Sequence, residues 1–183
     1  MREIRMPSIR NGFLHFTTCL AIAFIVFSPT VKAKSSDRAI PAKADGKKFS
    51  GNLSPNSKSQ LDGAAVITQG SLKITGEHAD LYTNQDTALT RAVVRGGKAH
   101  LEQLDDANLL MTADAQNIDY NVETGVAVLT GSAHAQKQTG GSVSGDVIHY
   151  DMSTGTFDVE STGSTLTHLT FYPKQPTSDK TGK

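Results

Sequence analysis

The sequence has no tryptophan, a single cysteine and no surplus of charge: 18 basic residues balance 18 acidic ones over 183 positions. Each scarcity excludes something. One thiol, Cys19, cannot build a disulfide framework. Balanced charge leaves no basic field to hold nucleic acid by counterion release, so no nucleic-acid partner is expected. Long apolar runs are missing too. The longest, Cys19 to Phe27, has nine residues, well short of the ~20 that a spanning helix needs. No window of about eleven or more residues combines three-to-four spacing with helix caps. The class is therefore β.

The short apolar run has the setting of an export signal. Arg2, Arg5 and Arg10 precede it, and Val31-Lys32-Ala33 follows with small residues where a signal peptidase reads. Residues 1–33 are expected to be a cleaved signal peptide rather than an anchor. Cys19 lies inside the run, which speaks against a lipoprotein, and it leaves with the signal. The remainder carries 14 basic and 17 acidic residues, a net charge of −3.

What is present is a repeat. Ile118-Asp119-Tyr120-Asn121-Val122-Glu123-Thr124-Gly125 is echoed thirty residues later by Ile148-His149-Tyr150-Asp151-Met152-Ser153-Thr154-Gly155. In each copy the apolar residues fall two apart, the period of a strand with one buried face. Thr-Gly then reverses the chain, and a second apolar strand follows. Similar units fill residues 61–172, read as about a dozen short strands with turns at Gly70, Gly76, Asn84 to Asp86, Gly96-Gly97 and Asp105 to Asn108. Residues 34–60 are polar and small, an expected mobile arm with a possible edge strand at Ala39 to Asp45. Residues 173–183 are expected to be a disordered tail. Two architectures fit: a closed or half-closed sandwich, and a stack of hairpins, which the repeat favours.

Alternation gives an inward apolar set: Leu72, Ile74, Leu81, Leu101, Ile118, Tyr120, Val122, Val126, Val128, Ile148, Tyr150, Phe157 and Val159. It serves either as a dry core or as the wall of a groove. The last strand, Thr165 to Tyr172, is β-prone and has no Lys, Arg, Asp or Glu to blunt it. An unblunted edge suggests strand addition to a neighbour, with Leu166, His168, Leu169 and Phe171 as contacts.

No catalytic chemistry stands out. Asp119, Asp146 and Asp151 alternate with apolar residues as a solvated strand face does. No nucleophile elbow or Ser, His and Asp arrangement occurs, so an enzyme is not expected, and neither is a cofactor. His100, His134 and His168 lie thirty-four residues apart, which stacked hairpins would align in a column. Without paired ligand spacing, the column reads as a repeated exposed position, and no metal is expected.

Read in order, Val66-Ile67-Thr68-Gln69-Gly70-Ser71-Leu72-Lys73-Ile74, Ile118-Asp119-Tyr120, Val128-Leu129-Thr130-Gly131-Ser132-Ala133 and Gly145-Asp146-Val147-Ile148-His149-Tyr150 resemble the OstA-like family of lipopolysaccharide transport proteins. The resemblance covers roughly residues 61–173. It implies an open, twisted β-jelly roll, a V of paired antiparallel sheets whose apolar trough carries the acyl chains of lipopolysaccharide through the periplasm of a Gram-negative cell. It also implies partners: the inner-membrane-anchored LptC at the N-terminal edge, the outer-membrane translocon LptD at the C-terminal edge, and head-to-tail self-association. The family's N-terminal pattern, Pro-Ile-x-Ile-x-Ala-Asp, is matched here by Pro41-Ala42-Lys43-Ala44-Asp45. Ala42 and Ala44 would therefore contribute less buried surface to N-terminal docking. The rival reading is a structural β-repeat scaffold without a lipid ligand, or a lipid-transport partner of the same fold.

Overall fold

The computed structural model describes residues 35–173. The expected signal peptide and all but the first residue of the expected tail lie outside the described residues. A 3-10 turn, Ser35–Ala39, precedes ten strands: β1 (Lys43–Asp45), β2 (Lys48–Ser50), β3 (Lys58–Gln69), β4 (Leu72–Thr83), β5 (Leu89–Leu104), β6 (Leu110–Asn121), β7 (Val126–Lys137), β8 (Gly141–Asp151), β9 (Thr156–Glu160) and β10 (His168–Phe171). Every pairing among them is antiparallel. Among the described residues no helix is long and apolar enough to cross a membrane.

The strands are fewer and longer than the sequence predicts. β4 runs unbroken through Gly76, and β5 through Gly96 and Gly97. The reason is that glycine marks a bulge as readily as a turn. Register slips occur between Asp62 and Ala65, Thr75 and His78, Arg95 and Ala99, Asp114 and Asn117, and Thr130 and Ala133. Together they make a line across the sheet, and each bulge bends its strand.

That line folds one sheet into two layers. β2 pairs with residues 60–62 of β3 and β9 with residues 147–151 of β8, on one side of the line. β1 pairs with residues 66–68 of β3 and β10 with residues 141–144 of β8, on the other. The result is an open jelly roll, a V whose layers share six long strands. Small residues sit at the bend, where Ala65 faces Gly76, Ala99 faces Ala115 and Ala133 faces Gly145. A Cβ on Gly76 would lie 2.6 Å from Val94 Cγ1, and one on Gly145 would lie 2.7 Å from Val159 Cγ1. Glycine is needed there for close approach.

The repeated hairpins share their turn chemistry. Asn121 Oδ1 accepts hydrogen bonds from Glu123 N and Thr124 N, and Asp151 Oδ1 accepts them from Ser153 N and Thr154 N. Gly125 N and Gly155 N then donate back to the carbonyls of Asn121 and Asp151. Asn84 and Asp105 open their turns in the same way. An Asx side chain that mimics a backbone turn sets these four reversals.

Within the stretch 34–60, read as an arm with an edge strand, the described part carries the 3-10 turn and two short strands on β3. Asp37 is buried there and accepts hydrogen bonds from the backbone and side chain of Ser71.

Candidate functional site

The inward rows follow from register. Ala92, Tyr120, Ala127, Tyr150 and Phe157 are successive cross-strand partners, as are Val94, Ile118, Leu129, Ile148 and Val159. Of the predicted inward set, Leu72, Ile74, Leu101, Ile118, Tyr120, Ile148 and Tyr150 are buried in one core cluster, and Leu81, Val122, Phe157 and Val159 pack partly buried against it. Val126 and Val128 are not brought to this face. Val128 sits between Asp119 and His149, and Val126 between Asn121 and Asp151, on the polar side of the sheet. The segment Val126-Ala127-Val128-Leu129 is apolar at every position, so alternation alone cannot say which pair points inward. Register chooses Ala127 and Leu129.

In the middle of the V, therefore, the layers close on each other. Toward the N-terminal end they part around a cavity of about 870 Å³. Its apolar wall comes from Leu61, Leu81, Leu89 and Val122 of the sheet, and from Ile40, Phe49 and Leu53 of the N-terminal segment. Phe49 and Leu53 are 47% and 78% exposed, so this wall also faces water. Ala42 and Ala44 line the same cavity. Only Leu81 and Val122 of it belonged to the predicted wall. Of the others, Ile40, Phe49 and Leu53 were missed because they stand singly in a polar stretch; being the only large apolar residues between 34 and 60 was their one signal.

A smaller cavity of about 230 Å³ opens at the other end, lined by Val143, Phe157, Leu169 and Phe171 with Lys137 at its side. Leu166, Leu169 and Phe171 are 69%, 59% and 81% exposed. β10 pairs with β8 on one side, and among the described residues nothing pairs with its other side. His168 lies on the same strand, opposite Ser144.

Three polar links cross the mouth of the V. Tyr120 donates its hydroxyl hydrogen to Gln69 Oε1 at 2.6 Å. Lys137 Nζ donates to the Gly155 carbonyl at 2.6 Å and lies 5.1 Å above the Phe157 ring. Arg38 Nη2 donates to the Glu123 carbonyl at 2.6 Å. Burial pushes the Tyr120 hydroxyl up to about 12 and raises Tyr150 as well, helped by the charges of Asp105 and Asp151. Burial lowers the Lys137 ammonium, against the pull of Asp105. Both phenols thus stay neutral. The arrangement offers apolar volume rimmed by a few polar groups, which suits holding an apolar ligand.

The spaced histidines form a row on the outer face. His100 lies opposite Asp114, Asp114 opposite His134, His134 opposite Ser144, and Ser144 opposite His168. The ring of His100 bonds Asp114 at 2.9 Å and that of His134 bonds Ser144 at 2.9 Å. No group of three or more His, Cys, Asp or Glu suited to a metal occurs among the described residues.

Two comparisons with known proteins agree with this architecture. The structure is similar to that of LptH, the LptA homologous periplasmic component of the conserved lipopolysaccharide transport device from Pseudomonas aeruginosa. The TM-score is 0.67 and the identity 23%, over 75% of this chain and 99% of that one; at this identity the likeness speaks for the fold. No curated protein sequence matches. The sequence profile described as LptA/(LptD N-terminal domain) LPS transport protein matches residues 45–156. That span is more than half of the chain and takes in β3 to β8 entire, so the chain belongs to the family of LptA-like and LptD N-terminal-domain lipopolysaccharide transport proteins.

Proposed function

We propose that the protein is a periplasmic carrier that shields the acyl chains of lipopolysaccharide in its V while the sugars stay in water. The observation that carries this reading is the cavity at the N-terminal end, about 870 Å³ and walled by Leu61, Leu81, Leu89, Val122, Ile40, Phe49 and Leu53. Its volume lies within the ~300–1,000 Å³ of ligand sites. A chain of ~12 carbons gains about 10 kcal/mol on burial at ~0.8 kcal/mol per methylene, before ordering costs. Such a ligand needs continuous apolar surface and no covalent chemistry. The wall beyond the cavity would be the predicted inward set without Val126 and Val128, reached if the closed middle of the V parts.

Bridging follows from the edges. β1 and β2 end the sheet on one side, β9 and β10 on the other, and each offers backbone groups for strand addition. The N-terminal edge, with Ala42 and Ala44, would take the inner-membrane partner LptC. The C-terminal edge, with Leu166, His168, Leu169 and Phe171, would take LptD or the N-terminal edge of a second copy. Cleavage after Ala33 would leave the carrier free in the periplasm. The domain expected at residues 61–172 would then take in Lys58 to Gln60 as the start of β3, with β1 and β2 along its N-terminal edge.

The test is equilibrium binding of fluorescent lipopolysaccharide to the purified protein. Leu81→Asp should abolish binding, while Val128→Asp, on the outer face, should leave it intact. Binding that survives Leu81→Asp in a folded protein would contradict the reading.

A further inference from the structure

The segment from Asp37 to Pro41 crosses the mouth of the V, and its neighbouring residues hold opposite lips. Asp37 accepts a hydrogen bond from Ser71 N at 2.8 Å and another from the Ser71 hydroxyl, in the turn between β3 and β4. Arg38 donates to the Glu123 carbonyl at 2.6 Å, in the turn between β6 and β7. Gln69 Nε2 adds a hydrogen bond to the Ile40 carbonyl at 3.1 Å.

Both turns are shaped to receive the segment. A Cβ on Gly70 would overlap the Asp37 carboxylate, and one on Gly125 would stand 3.3 Å from Arg38 Cζ. The Asp37 side chain is correspondingly buried, at 5% exposure. Arg38, Ala39, Ile40, Pro41 and Ala42 all line the large cavity. The segment is thus one wall of the space it spans.

The attachment differs in kind from that of the strands. Backbone pairing with β3 begins at Lys43, so upstream of it the contacts to the two lips run through the side chains of Asp37, Arg38, Gln69 and Ser71. Such contacts break without disturbing the sheet. Pro41, which has no backbone N–H to give to a ladder, stands at the junction.

We infer that residues 37–41 are a strap that closes the mouth of the N-terminal cavity and must release Ser71 and Glu123 before an acyl chain can enter sideways. The inference rests on the carrier reading above. It assigns Asp37 and Arg38 a gating role in loading, through their bonds to the two lips.

The test uses a disulfide that can be made and unmade in one protein. In a Cys19→Ser background, Asp37→Cys with Ser71→Cys ties the strap to one lip, its closure verified by mass spectrometry. Uptake of fluorescent lipid A is followed by stopped flow. The oxidised protein, its strap tied covalently, should load at least about tenfold more slowly than the reduced one, in which neither the disulfide nor the Asp37 carboxylate holds that lip. Asp37→Ala with Arg38→Ala should load faster than the unaltered chain by a similar factor. Equal loading rates in oxidised and reduced forms that both bind lipid A would overturn the strap and leave the carrier reading standing. No binding by any form would remove both.

Discussion

Tyr120 and Gln69, 51 residues apart in sequence, meet across the mouth of the V through a buried hydrogen bond of 2.6 Å. The same Gln69 holds the Ile40 carbonyl with its amide nitrogen, so one side chain joins both layers and the N-terminal segment. Tyr120→Phe keeps the ring in the core and strips the donor from a buried acceptor. It should cost about 1–3 kcal/mol, measured by urea unfolding. A change of a few tenths would mean that water or another donor satisfies Gln69.

The face assignment of β7 separates two adjacent residues. Leu129 is fully buried, at 0% exposure, whereas Val128 pairs with Asp119 and His149 outside. Leu129→Ala should cost about 2–5 kcal/mol and Val128→Ala less than about 1 kcal/mol. Comparable losses at the two positions would contradict the register.

The bend depends on glycine for space. In Gly76→Ala the added methyl would meet Val94 Cγ1 at 2.6 Å and the Arg95 carbonyl at 3.1 Å, where backbone gives little. Overpacking of this kind costs about 1–3 kcal/mol, and a thermal melt should show it as a lowered midpoint. An unchanged midpoint would mean that the layers separate freely at the bend.

Acid should weaken the fold through Asp80. Burial raises its pKa, but hydrogen bonds from Arg95, Lys58 and Gln60 outweigh that and hold the carboxyl below its ordinary range. Its Oδ2 lies 2.6 Å from Arg95 Nη2 and 3.1 Å from Lys58 Nζ. A folded-state pKa below the unfolded value of ~3.9 gives stability that is present above that value and lost as pH falls through the lowered one. Stability should therefore hold above pH ~5 and decline below ~4. Asp80→Asn should be less stable at neutral pH and lose less on acidification. An equal acid slope in both proteins would remove Asp80 from the account.

Much of this fold is legible in the sequence because strand and turn signals are local. The two-residue alternation around Ile118 and Tyr120, and the Asx openings at Asn121 and Asp151, specify hairpins without reference to the rest of the chain. The OstA-like stretches name the family whose profile matches. What stayed hidden depends on contacts between distant segments. Gly76 and Gly96-Gly97 read as turns because a bulge and a turn use the same residue, and only pairing on both sides tells them apart. The direction of Val128 was hidden by Ala127 and Leu129, which are apolar too. Asp37, polar in a polar stretch, gives no sign of being buried until Ser71 is brought to it.

The central claim is that acyl chains lie inside the V at its N-terminal cavity. The most direct test is photocrosslinking to lipopolysaccharide in growing cells, with a photoreactive residue at Leu81 or Val122 and, as outward controls, at Asp119 or Val128. The account predicts adducts at the first two positions and none at the controls. A folded protein that gives no adduct at Leu81 or Val122, or equal adducts at all four positions, would contradict it.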